Sequence, residues 1–179
     1  MSAPKYQPHY TFADYCQWEG DWELWSGAAV AMTPSPFGTH QRILTRLARM
    51  FGNQLEVAGR DCEVVVELDW IVAEDTVVRP DLMIICEDFP DRHLLSAPSL
   101  IAEVLSDATR NKDLTNKKQL YRENGVQYYL IADPQHASLQ LFYRPAFGDA
   151  YREIRDEQPK VVFADGCRFH CQFNSIFQT

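Results

Sequence analysis

The 179 residues contain no apolar run long enough to span a bilayer, no internal repeat and no low-complexity tract, which argues against a membrane protein, a solenoid or a disordered linker. The opening stretch MSAPKYQPHYTF has no basic segment followed by an apolar one. The expectation is therefore a chain without a secretory signal that works in the cytoplasm and has no membrane partner. Cysteine is sparse. Cys16, Cys62, Cys86, Cys167 and Cys171 are scattered and odd in number, which does not read as a disulfide framework, so the expectation is five reduced thiols. CRFHC, residues 167 to 171, lacks the second ligand pair that a four-ligand zinc site needs, and it reads instead as a closing strand. Positive charge is also in short supply, with 17 basic residues against 25 acidic ones and a net charge of −8. That balance argues against broad non-specific affinity for nucleic acid, and any such contact must be local.

What is present is ordinary for a globular chain, with 46% hydrophobic and 23% charged residues and no evident linker, so one domain over 1–179 with a sizeable core is expected. Thr11 followed by Asp14 signals a short helix. DWELW and AAVAM flank Ser-Gly as a hairpin, and PSPFG reads as a loop. From Thr39 a long helix is expected, with Ile43, Leu47, Phe51 and Leu55 along one face and Arg42, Arg46 and Arg49 on the other. CEVVVELDWIVA, VVRPDLMIIC and SLIAEVLS read as β segments. A helix over about 114–123 follows, closed by Gly125, and then the strand VQYYLIAD. SLQLFYR, AYREI and KVVFA suggest an antiparallel C-terminal extension. The fold class is α/β (α+β), a mixed central sheet flanked by helices.

Two carboxylates break this pattern. Glu103 lies inside the apolar strand SLIAEVLS, and Asp81 stands between Pro80 and the run Leu82, Met83, Ile84, Ile85. An unpaired buried charge costs several kcal/mol or takes up a proton, so each acid needs a partner. Two acids on neighbouring strands offer hard oxygen ligands to Mg²⁺ or Mn²⁺, and a metal so held can activate water at a phosphodiester. A nearby ammonium would stabilise developing charge. At 100° per residue Lys117 lies near the centre of the face set by Leu114, Leu120 and Tyr121, and Lys118 lies at its solvent edge. A surface pairing of Lys117 with Asp113 is the plainer alternative. The plainer readings of the other residues are an exposed strand glutamate for Glu23, an ordinary helix residue for His40 and a turn former for Asp81.

Three blocks, RPDLMIIC, IAEVLSDATRNKDLTNKKQLY and GVQYYLIADP, resemble consecutive blocks of the Uma-two family of bacterial endonucleases, in the PD-(D/E)XK nuclease superfamily. WELWSGAAVAMTPSPFGTHQRIL resembles that family's first block. The resemblance implies a restriction-endonuclease-like core, with Asp81 and Glu103 as the metal-holding acids. It implies that the superfamily's lysine, absent at Leu105, has moved to Lys117. It also implies that Glu23 is a supporting acid, an additional ligand of the metal or of its water, and His40 a phosphate contact. Asp107 replaces a common proline and Tyr129 a common tryptophan. With Arg42, Arg46 and Arg110 as further nucleic-acid contacts, the expectation is a Mg²⁺-dependent endonuclease acting on DNA, with a homodimer suited to cutting both strands. Two alternatives remain open. One is a binding protein that keeps the fold without turnover. The other is a glycosidase using the two acids beside Trp18, Trp22 and Trp25.

Overall fold

A computed structural model describes residues 7–32, 38–59, 61–86 and 89–178; most of the PSPFG loop lies outside them. The capping pair forms, with the Thr11 amide donating to Asp14 Oδ2 at 2.8 Å, and opens helix α1, Phe12–Tyr15. Strands β1, Trp22–Trp25, and β2, Ala28–Ala31, make the expected hairpin. Its turn residues Ser26 and Gly27 both have positive φ, 46° and 81°, the two-residue geometry that matches strand twist. Gly27 has a second constraint, because a Cβ there would lie 2.1 Å from the His9 ring.

Helix α2, Gly38–Ala58, buries Ile43, Leu47, Phe51 and Leu55 as the periodicity requires, together with Leu44 and Met50. The β-rich segment CEVVVELDWIVA divides into two strands. Strand β3, Glu63–Val66, and strand β4, Trp70–Ala73, are separated at Glu67, whose φ is 52°. The break sends the two strands into different sheets. Strands β5, Thr76–Val78, and β6, Leu82–Ile85, are divided in the same way by Arg79–Pro80–Asp81, where proline has no N–H to extend a ladder.

Strand β7, Leu100–Val104, leads through a helical segment to β8, Tyr128–Asp133, and then β9, Ser138–Tyr143, and β10, Arg152–Ile154. The main sheet has the order β10-β9-β8-β7-β6-β3 and a smaller one the order β2-β1-β5-β4. In the main sheet only β7 and β8 run parallel, because the helical segment supplies the long crossover that a parallel pair needs. Strands β11, Lys160–Val162, and β12, Arg168–His170, form a separate hairpin. CRFHC is thus a closing strand with Cys167 and Cys171 in the core.

Every residue of β7 and β8 is buried, as in a sheet covered on both faces. Leu82, Ile84, Leu100, Ala102, Val104 and Leu130 face α2 and the β11–β12 hairpin. The alternate residues Met83, Ile101, Leu105, Tyr129 and Ile131 pack with Tyr121, Val126 and Trp70. Glu103 belongs to this second set by its place in the alternation.

The crossover segment is longer and less regular than the sequence implied. It begins as α3, Arg110–Lys112, widens into a π-helical turn, Asp113–Lys117, and continues as α4, Lys118–Glu123. The wider turn breaks the 100° spacing, and Leu114, expected inward, is 36% exposed. Gly125 closes the segment with φ 99°. One cysteine expectation is corrected: Cys62 and Cys86 are joined in a disulfide. The register that pairs Glu63 with Ile85 sets these two residues opposite each other just beyond the paired ends of β3 and β6.

Candidate active site

The chain leaves the small sheet at Val78 and enters the main sheet at Leu82, so Asp81 lies at the joint. Register places it beside Glu103, since Leu82 pairs with Ala102. The Asp81 amide lies 3.4 Å from Glu103 Oε2, and Asp81 Oδ2 accepts the Val104 amide at 2.7 Å. His40, in the first turn of α2, brings Nε2 to 3.1 Å from the same Asp81 oxygen. Burial works against the imidazolium, but its hydrogen bond to Asp81 and that carboxylate's charge raise the His40 pKa.

Glu103 is 1% exposed. Its Oε1 accepts from Lys117 Nζ at 2.8 Å and from the Tyr121 hydroxyl at 2.6 Å. Burial pushes its pKa well above the ordinary carboxylate value, and the nearby Asp81 and Asp113 add to the rise against the opposing pull of Lys117. Burial alone would lower the Lys117 pKa, yet the carboxylates of Glu103, Glu23, Asp113 and Asp81 together raise it well above that of a free lysine. Lys117 therefore stays charged. The contact with Asp113, 3.5 Å at i, i+4, coexists with the contact to Glu103, and both are buried rather than superficial. Lys118 departs from its expected solvent edge, for its ammonium sits 3.3 Å from the Phe142 ring centroid.

Glu23 comes from the small sheet. The pleat turns it away from Trp22 and Leu24, and it is 2% exposed. It accepts from the Arg79 amide at 3.1 Å, from Trp25 Nε1 at 2.9 Å and from Lys112 Nζ, while Lys117 Nζ lies 3.8 Å away. Burial would raise its pKa, but the two ammonium groups outweigh that and hold it low. Arg79 braces the joint from outside. Its side chain donates to Asp69 and Asp21, each at 2.7 Å, and Tyr15 donates to Asp69 at 2.9 Å.

The structure thus gathers Glu23, His40, Asp81, Glu103 and Lys117 around one point. It does not bring the arginines there. Arg46 donates to the Ile176 carbonyl at 3.0 Å and to that of Gln178, so it anchors the C-terminal segment. Arg110 is engaged by Asp133 through two hydrogen bonds, at 3.2 and 2.5 Å. Of the arginines named as contacts, Arg42 stands exposed on α2, as does its neighbour Arg49. Lys112, Asp113, Trp25 and Tyr121 are the residues at this point that sequence reasoning did not assign to it. Trp18 and Trp22 pack instead on each other and on Tyr10 and Tyr15, lining a separate cavity of about 290 Å³ with Glu19 and Ala29. That cavity includes neither acid of the supposed glycosidase pair.

The Arg110–Asp133 pair yields a pH prediction. Arg110 foremost holds the Asp133 carboxyl well below the ordinary range, with His136 and the Gln135 amide assisting. A lowered folded-state pKa gives stability that is present above the unfolded value, about 3.9, and is lost as pH falls through the folded one. Between about pH 5 and pH 2 the melting temperature of the wild-type chain should fall more steeply than that of Asp133→Asn. Parallel curves would show that this pair carries none of the acid sensitivity.

A mixed sheet with helices on both faces, and acids at one end of two adjacent strands, is the restriction-endonuclease-like core. The same fold is seen in the crystal structure titled "a putative nuclease belonging to DUF820" from Anabaena variabilis. It superposes with a TM-score of 0.72 over 94% of this chain and 97% of that one, at 15% identity. The chain belongs to the Uma2 family, described as "Putative restriction endonuclease", whose profile matches residues 12–166. Two relatives from Synechocystis sp. carry the names "Uncharacterized protein" slr1290 and sll1609. The first is 30% identical over 156 residues, covering 82% of this chain and 78% of the relative. The second is 32% identical over 126 residues, covering 66% and 65%.

Proposed function

We propose that the chain is a divalent-metal-dependent endonuclease that hydrolyses phosphodiester bonds of DNA. The observation that carries this reading is the charge balance of the buried cluster. Among the described residues Glu23, Asp81, Glu103 and Asp113 gather around the ammonium groups of Lys112 and Lys117 and the His40 imidazole, an excess of carboxylates that a divalent cation would offset. The donor set fits as well. Among the described residues Asp81 is engaged by His40 and by the Val104 amide through Oδ2, which leaves Oδ1 for a metal, and the buried His40 Nδ1 has no hydrogen-bond partner.

Asp81 and Glu103 would hold Mg²⁺ or Mn²⁺, which when bound supplies an activated water and offsets charge on the phosphate. The protein's part is positional. Lys117 orients Glu103 and presents a fixed positive charge where negative charge grows in the transition state. Tyr121 donates to the same Glu103 oxygen, and His40 together with the Val104 amide fixes Asp81. Glu23 keeps both lysines at the site.

A second reading, a nuclease-fold DNA-binding protein with little turnover, draws support from Lys117, whose ammonium already occupies one oxygen of Glu103. One experiment separates the two. Supercoiled plasmid incubated with the full chain and Mg²⁺ or Mn²⁺ should be nicked or linearised, and EDTA should prevent it. Binding without products under every metal condition would select the second reading, and neither binding nor products would end both.

Arg42 and Arg49 are the exposed cations of α2, the helix whose first turn reaches Asp81. Arg42→Gln with Arg49→Gln should weaken duplex binding and lower the slope of log affinity against log salt by between one and two. An unchanged slope, read by fluorescence anisotropy, would make these arginines a solvated face only.

A further inference from the structure

Lys112 was not among the residues expected at the site. Its ammonium contacts Glu23 Oε2 and lies 4.8 Å from the centroid of the Trp25 ring. The side chain is 28% exposed, against 7% for Lys117. The cluster thus holds two ammonium groups in unlike settings, one sealed among carboxylates and one at the mouth.

Withdrawing one of them would uncover more buried charge than withdrawing the other. Lys117 contacts Glu103, Asp113 and Glu23, and withdrawing it would leave buried carboxylates uncompensated. Among the described residues Lys112 pairs with one carboxylate, that of Glu23. If it swings out, Glu23 still accepts from the Arg79 amide and the Trp25 indole and keeps Lys117 at 3.8 Å. The Trp25 face gives the moving ammonium a weak, undirected resting place.

Resting on the nuclease reading, we propose that Lys112 is the substrate-gripping residue of this site. It exchanges the Glu23 carboxylate for a non-bridging oxygen of the DNA phosphate entering the cluster. Glu23 is then a positioning residue, its carboxylate satisfied by protein donors rather than directed at the metal. The roles divide: Lys117 is fixed and Lys112 is mobile.

The test uses the full chain and a fluorescein-labelled DNA duplex, titrated from low to moderate salt in EDTA so that binding is read apart from cleavage. Lys112→Met should weaken binding several-fold and lower the salt slope by about one, the signature of one lost phosphate contact. Lys112→Arg should restore most of both. In cleavage assays the loss in Lys112→Met should fall on KM more than on kcat. Binding and slope equal to wild type would overturn the proposal, as would a lowered melting temperature with the slope unaltered, since Lys112 would then only neutralise Glu23. A changed slope in a chain that never cleaves would uphold the Lys112 contact while the nuclease reading falls. Absence of duplex binding by the wild-type chain would overturn both.

Discussion

Lys117→Met should destabilise the chain by about 3–5 kcal/mol at neutral pH, the usual cost of removing one partner from a buried ionic cluster. Glu103 and Asp113 are each 1% exposed and Glu23 is 2% exposed, so water cannot replace the lost ammonium. Methionine roughly preserves the volume, which leaves charge as the main change. Adding Glu103→Gln to Lys117→Met should recover part of that loss, because one of the stranded charges is removed with it. Cleavage should not recover with stability, and Lys117→Met should lose at least ~10² in rate, as removal of a positioned electrostatic stabiliser does. Lys118→Met is the control of equal charge. Its ammonium rests, half-buried, on Phe142, an interaction of about 0.5–2 kcal/mol, and its cleavage should change little. Guanidinium unfolding and plasmid cleavage would read the two effects. Equal behaviour of the two single variants would remove Lys117 from the mechanism.

Glu103→Gln alone should act in the opposite sense on stability. The carboxylate is buried beside Asp81 and Asp113, and its raised pKa expresses how poorly the site tolerates its charge. Glutamine keeps the oxygen that accepts from Tyr121, and Lys117 retains Asp113 and Glu23. The melting temperature should therefore hold or rise, while Mn²⁺ affinity falls by at least ~10–100-fold, the range that loss of an outer partner alone produces. Calorimetry with Mn²⁺ decides the matter: unaltered affinity would mean that Glu103 holds no metal.

The two acids were legible in the sequence because each breaks a local pattern, Glu103 inside an apolar alternation and Asp81 after a proline. The α2 core face was legible for the same reason, since 21 helical residues give the periodicity room to show. Lys117 was placed inward by a 100° count that the π-helical turn does not obey. That count succeeded for Lys117 and failed for Leu114, which the wider turn carries outward. Arg46 and Arg110 looked free because their partners lie far along the chain, at 176 to 178 and at 133. Lys112 gave no signal, for one lysine beside an aspartate on a short helix looks like any solvated pair. The Cys62–Cys86 link depends on strand register, which cysteine spacing does not carry.

The joint at Arg79–Pro80–Asp81 has a mechanical meaning. Glu23 rides on the small sheet, Glu103 on the large one, and Asp81 on the strip of chain between them. Their separation therefore measures the angle between two plates, and the Arg79 contacts with Asp21, Asp69 and the Glu23 carboxylate are the stay that sets it. Plates can shift while each remains intact, and such partial openings lie below the global unfolding free energy. On heating, the site should come out of alignment before the sheets themselves melt.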